Sequence, residues 1–316
     1  GWDGETGGEF DGVLPFESDL VFVIGRTQLL GPDDVSALAS LMANYNLQTM
    51  SAYRGQDGPA AQPIQWPVWS DEASRDERFM GTLNFLLSLC RPIHPSEADL
   101  MARFAKIGIG PGLPFDADAL NDELREAIRA GVSAAQKTMA AKVRDFGKKV
   151  SGWGSSDVFG TREWYAGDYL LRAAAAMAGW GGNDVIEAVY PTTREDADGE
   201  PLDGAHRYQM TFTTQPPAKA FWSVTMYDTS YDGTAGYLVE NPNNRYLINS
   251  TTQGLFYGED GSLTITVQHE QPRDAAAEAN WLPAPAGPFY LVMRIYWPEQ
   301  AALDGSWAPP PVRRIK

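Results

Sequence analysis

The fold is decided by FWSVTMYD (221–228), ENPNNRY (240–246), DGSLTITVQH (260–269) and EANWLPAPAGPFYLVMRIYWP (278–298). Apolar and polar residues alternate in these blocks, the period-2 pattern of strands with one buried face. In 263–269, Leu263, Ile265, Val267 and His269 oppose Thr264, Thr266 and Gln268. Just upstream, His206, Tyr208, Met210 and Phe212 oppose Arg207, Gln209 and Thr211 in the same way. Phe289–Trp297 is apolar on both faces except at Arg294, which predicts a central strand. Asp-Gly pairs at 198–199, 203–204, 232–233 and 260–261 supply the positive φ of tight turns. Short strands so punctuated predict an antiparallel, jelly-roll-like β-sandwich over 184–316.

Working outward, the period changes to 3.6. A helix is expected from Pro32-Asp33, with Val35, Leu38, Met42 and Tyr45 at helical spacing. Ser70 is placed to cap a helix whose stripe is Phe79, Leu83, Leu86 and Cys90. Ser96 to Asp99 resembles a capping box, and Gly108 is the expected stop of that helix. The longest helical pattern runs from Asp116 to Phe146, with Gly131 as a weak point. A shorter helix is expected over 168–178. Before all of these, Leu20–Gly25 is a continuous apolar run ending at Gly and reads as a buried strand. Residues 55–70 hold three prolines and read as a linker, and the tail SWAPPPVRRIK reads as a surface-draped segment. The fold class is therefore α+β and multi-domain: 1–69 as the end of an N-terminal module with its linker, 70–183 as a helical segment, and 184–316 as the sandwich.

The chain has 316 residues, with 41 acidic against 25 basic side chains and a net charge of −16. Such a field repels phosphate backbones, so no nucleic-acid partner is expected. No apolar run approaches the roughly 18–20 residues that a membrane span requires. Cys90 is the single cysteine, which permits no internal disulfide, and it reads as a core residue. The chain opens GWDGETGGEFDG, with neither Met nor a signal-peptide pattern. That is compatible with a removed leader or with a start inside a larger protein.

Strong catalytic motifs are absent: no G-x-S-x-G, P-loop, H-E-x-x-H or paired C-x-x-C. Gly108 to Gly112 is glycine-rich but follows a helix, so it reads as a loop. No cofactor or metal is expected from three dispersed histidines, His94, His206 and His269. Of these, His269 is the acid/base candidate, because it ends a strand beside Glu270. The alternative is a histidine bonded to backbone. Asp196-Ala197-Asp198-Gly199 resembles the opening of a calcium loop but lacks its other parts, and reads as a surface hairpin. The aromatic-amide set Trp222, Tyr227, Asp228, Asn244, Arg245, Tyr246, Asn280 and Trp281, with Arg294, suits a sugar face, an aryl ring or a carboxylate. Core packing and loop fastening would use the same residue types.

These blocks, together with AKIGIGPG (105–112), GDYLLRAAAAMAG (167–179), AVYPTTREDADGEPLDGAHRYQMTF (188–212) and LDGSW (303–307), resemble the bacterial domain-of-unknown-function family 1214. SDLVFVIGRTQLLGPDDVSAL (18–38) resembles the closing segment of a partner family, 1254, that usually precedes it. The resemblance implies β-sandwich modules flanking a helical segment, with residues 1–30 as the last strands of an upstream sandwich. It also implies an exported protein of the periplasm or cell envelope, a family 1254-like module or chain as partner, and little about chemistry. Two functions follow. One is hydrolysis of a small organic or carbohydrate-like substrate, with His269 as acid/base, Arg245 and Arg294 on an anion, and Tyr227, Tyr246 and Trp281 as the wall. The other is a non-catalytic ligand-binding or envelope-assembly module. Homo-oligomerisation is left open.

Overall fold

Several helices start where the sequence supplies an acceptor for a first-turn amide, as Thr49, Thr161, Asp168 and Asp274 do. The computed structural model describes residues 10–315 except 15, 30, 59, 61–62, 91–92 and 230–235; the Asp232-Gly233 turn lies outside the described residues. The chain divides into two units, Gly1–Ala134 and Ala135–Lys316. The first contains α1 (Val35–Met42), α2 (Met50–Tyr53), α3 (Phe79–Ser88), α4 (Ala98–Ala105) and most of α5 (Asp122–Arg144). Asn121 caps α5 by accepting from the Leu124 amide at 2.9 Å, so this helix begins six residues later than its pattern suggests. It runs through Gly131 without interruption.

Three expectations fail in this unit. Leu20–Gly25 forms no strand and is exposed, Phe22 to 61% and Val23 to 68%. An apolar run becomes a strand only where a neighbour supplies a ladder, and no strand forms among the described residues of 10–134. Remnant strands of an upstream sandwich are thus not seen there. Ser70 does not cap α3; its hydroxyl accepts from the Ala73 amide, at the start of a 3-10 turn over 73–75. Cys90 lies beyond the end of α3 and is exposed, so it is not a core residue.

Two buried polar side chains, Glu77 and Asn84, make the interior bonds of this unit. Its fully buried described residues are Ala73, Glu77, Asn84, Ile109 and Gly110. Asn84, on α3, donates to the carbonyls of Gly108 and Leu113 at 2.8 and 2.9 Å and accepts from the Gly110 amide at 2.9 Å. The glycine-rich segment is therefore a loop fastened by one amide side chain. Glu77 receives Arg129 at 2.7 Å and Arg125 at 2.9 Å.

The second unit continues with β1 (Lys148–Val150), β2 (Trp153–Ser155), α6 (Arg162–Tyr165), α7 (Tyr169–Gly179), β3 (Ala188–Val189), β4 (Thr192–Thr193), β5 (Arg207–Phe212), β6 (Ala218–Asp228), β7 (Leu247–Asn249), β8 (Leu263–Gln268), α8 (Ala275–Ala279), β9 (Trp281–Pro283), β10 (Phe289–Pro298), α9 (Gln300–Leu303) and β11 (Arg313–Ile315). One sheet has the order β1-β2-β4-β10-β6-β7, with β3 also paired to β10; the other is β11-β5-β8-β9. β10 is central, as its two apolar faces predict: β6 flanks one edge, and β3 with β4 the other.

Alternation sets the core. Tyr208, Met210, Phe212, Leu263, Ile265 and Val267 of one sheet meet Trp222, Val224, Met226, Leu291, Met293 and Ile295 of the other in a single buried cluster. Tyr208–Phe289 and Phe212–Trp222 ring contacts, at 5.8 and 5.9 Å, join the two sheets. The expected antiparallel pattern has one exception, since β8 and β9 are parallel. Residues 269–280, containing α8, provide the crossover of about a dozen residues that parallel neighbours need. The tail also departs from expectation. Val312 is 1% exposed and β11 pairs with β5, so residues 313–315 add an edge strand to the smaller sheet while Arg313 and Arg314 stay exposed. No helix among the described residues is long and apolar enough to cross a membrane.

Candidate functional site

The predicted site residues separate into several places. Trp222 is in the core, 4% exposed and stacked on Phe212. Asn244 sits in an exposed turn with φ 52°, the left-handed region that Asn tolerates better than most residues. Tyr246 is half-buried, and its carbonyl accepts from the Met226 amide at 3.0 Å. Arg245 donates to the carbonyls of Ala279 and Trp281, at 2.7 and 3.1 Å, just past the end of α8. Burial lowers its pKa, and it stays cationic at any ordinary pH. Asn280, 3% exposed, accepts from the Phe256 amide and donates to the Phe256 and Thr264 carbonyls. Trp281, also 3% exposed, donates from Nε1 to the Gln268 carbonyl at 2.9 Å. This second group fastens loops to strands.

His269 is exposed, not buried on the apolar face as its spacing suggested, because β8 ends one residue earlier. Its Nδ1 lies 3.0 Å from the Ala284 carbonyl, which fixes that nitrogen as the donor. This is the backbone-bonded arrangement.

Tyr227 and Arg294 do meet, on the outer face of the larger sheet. Arg294 donates to Thr225 Oγ1 and to the Tyr227 hydroxyl, each at 3.0 Å. Tyr227 stacks on Tyr290 at 5.3 Å, and the Arg194 guanidinium lies 4.2 Å from the centre of the Tyr290 ring. Two arginines thus flank a tyrosine pair, and neither belongs to an ion pair among the described residues. Burial pushes the Tyr290 hydroxyl up, with Arg194 opposing it. Asp228 accepts from the Tyr237 amide and so anchors the neighbouring loop.

A cavity of about 600 Å³ lies elsewhere, and none of its lining residues was among the predicted site residues. β2 contributes Trp153, 2% exposed, whose Nε1 donates to the Pro310 carbonyl at 2.8 Å. Val185, Val189, Ile295, Leu303 and Trp307 line it with apolar surface. Asp157 is the titratable lining residue. It is exposed, yet partial desolvation pushes its carboxyl up, and the Asp184 charge adds to this. Its sequence signal, two tryptophans at 153 and 307, was hidden because they are far apart in the chain and the tail joins them only through its fold. Asp196, read as part of a hairpin, is 3% exposed and accepts from the amides of Asp198 and Glu200 within an antiparallel bridge of Glu195 with Pro201. Its carboxylate serves a turn.

Residues 187–300 match a family model described as "Protein of unknown function (DUF1214)". The match covers most of both sheets and supports the family 1214 reading of the C-terminal module. Among solved structures, the VPA0106 protein from Vibrio parahaemolyticus is similar with a TM-score of 0.69 and 24% sequence identity, over 91% of this chain and 66% of that one. At this identity the likeness shows a shared fold. The chain spans 66% of the length of the Vibrio protein. An uncharacterized protein from Burkholderia cenocepacia reaches a TM-score of 0.29 at 16% identity, over 63% of this chain and 44% of that one. No curated protein matches the chain.

Proposed function

We propose that the second unit is a ligand-binding module whose site is the cavity of about 600 Å³, and that its ligand is a small, mainly apolar organic molecule. The observation that carries this reading is the wall. Trp153, Trp307, Val185, Val189 and Ile295 present ring and branched aliphatic surface, with one carboxylate, Asp157, as the polar point of orientation. A net charge of −16 favours a neutral or cationic molecule over an anion. Benzylamine, which joins an aryl ring to a cation, is the first probe, and benzoate its anionic counterpart. Calorimetry is expected to show saturable benzylamine binding that weakens about tenfold in Trp307→Ala and in Asp157→Asn, with benzoate weaker still. Equal binding of both probes, or no loss in either variant, defeats the reading.

Hydrolysis is the second reading, and the observation in its favour is also Asp157. A carboxyl whose pKa is raised by burial and by Asp184 keeps its proton to higher pH than an ordinary aspartate, as a general acid requires. Turnover of 4-nitrophenyl esters or glycosides that vanishes in Asp157→Asn while benzylamine binding persists would replace the binding-only reading. His269 does not line the cavity, so its acid/base role needs a different site. The jelly-roll topology, the division at 69 and 183, the family 1254-like origin of residues 1–69 and the envelope location belong to the same proposal. The first two rest on strand punctuation and the change of period, the last two on the resemblance.

A further inference from the structure

On the outer face of the smaller sheet a second cavity, of about 280 Å³, is lined by residues of β5 and β8, by the loop at 256–262 and by α8. Thr266 forms part of its lining. Its Oγ1 is the buried side-chain polar atom that has no hydrogen-bond partner among the described residues, and the residue is 2% exposed. A buried hydroxyl with no partner is a cost that native structures rarely tolerate without a use. Gln209 stands opposite Thr266 in the register of β5 with β8, and its amide also reaches the cavity. Thr264 is next on the same face, bonded to Thr211 through hydroxyls 3.0 Å apart. Phe256, 55% exposed, supplies an aromatic edge. Asn280 holds that phenylalanine in place through both its backbone groups, at 2.8 and 2.7 Å.

The lining limits the chemistry of the occupant. It holds no Lys or Arg, and Asp274 stands among it, so anions are disfavoured. One carboxylate among hydroxyls and amides is too few for a metal ion, and no cluster of three or more metal-binding side chains occurs among the described residues. Hydroxyl and amide groups that both donate and accept, beside one aromatic ring, match a molecule with hydroxyls around its edge and C–H groups on its face. We propose that this cavity is a binding site for a neutral, polyhydroxylated ligand of monosaccharide size, with Thr266 and Gln209 as its hydrogen-bonding floor and Phe256 as its stacking wall. The site is separate from the apolar cavity and stands whether or not that cavity binds benzylamine.

The test uses the full chain and four probes: D-glucose, D-galactose, D-mannose and myo-inositol. Each is titrated to tens of millimolar with saturation-transfer NMR and calorimetry, against wild type, Thr266→Val and Phe256→Ala. Thr266→Val keeps the side-chain shape and removes the unpartnered hydroxyl, so its melting temperature should stay level or rise. Phe256→Ala changes an exposed ring and should fold normally. The expected result is saturable binding of at least one probe, weakened about tenfold or more in both variants. Absence of saturable binding by all four overturns the proposal. So does binding of equal strength in wild type and both variants, which would mean that Thr266 meets only a bridging water.

Discussion

Trp281 donates its indole N–H to the backbone carbonyl of Gln268 at 2.9 Å, and both residues are buried, at 3 and 7% exposure. The bond ties β9 to β8 across their parallel pairing. Trp281→Phe keeps most of the ring and leaves that carbonyl with the Ala284 amide alone, so a loss of about 0.5–1.5 kcal/mol in urea unfolding is expected. Trp281→Ala adds a cavity and should cost about 3–5 kcal/mol. If Trp281 instead formed a ligand wall, both variants would keep full stability.

Asn84 joins three backbone groups of the 108–113 loop to α3 through a side chain only 1% exposed. Asn84→Ala should destabilise the first unit by about 2–4 kcal/mol, since it orphans an amide and two carbonyls together. Asn84→Asp should be worse, because a carboxylate would face two carbonyl oxygens. Hydrogen exchange at Gly110 and Gly112 is the local readout: faster exchange in Asn84→Ala is expected, and unchanged rates would refute the fastening role.

Glu77 gives the first unit a pH dependence. The hydrogen bond from Arg129 holds its carboxyl below the ordinary value of 4.5; desolvation opposes this, and Arg125 adds to the lowering. A depressed folded-state pKa means a stabilisation that is complete above the unfolded value and is lost as pH falls through the folded one. Urea midpoints should therefore drop between about pH 5 and the acid range, and the drop should be smaller in Glu77→Gln. Parallel curves for the two proteins would exclude Glu77 as the source.

Gly204 is required for space, not for backbone conformation. Gly199 and Gly261 of the Asp-Gly pairs have φ of +84° and +80°, as turns predict, whereas Gly204 does not share that region. A Cβ on Gly204 would overlap the Pro285 carbonyl, while one on Gly287 would meet open space. Gly204→Ala should cost about 1–3 kcal/mol by forcing the 285–287 backbone to move, and Gly287→Ala should be near neutral. Equal melting temperatures for the two variants would contradict the contact.

The alternation of apolar residues determined that β5, β6, β8 and β10 exist, which faces they bury, and that β10 is central. These depend on a period of two and on hydrophobicity, both local properties of the chain. The longer helices in 70–180 were legible for the same reason, with ends moved where caps such as Asn121 competed with the pattern. In the same stretch α6 and the short strands β1 and β2 carry no periodic signal and were not read. The tertiary structure decided the rest. Trp222, Asn280 and Trp281 have the chemistry of a binding surface, yet partners far along the chain turn them into core and fasteners. The cavity at Trp153, Asp157 and Trp307 exists only because the tail returns to bring positions 153 and 307 together. An unpartnered hydroxyl such as that of Thr266 cannot be seen in a sequence at all, because whether a polar atom is satisfied depends on what surrounds it in three dimensions.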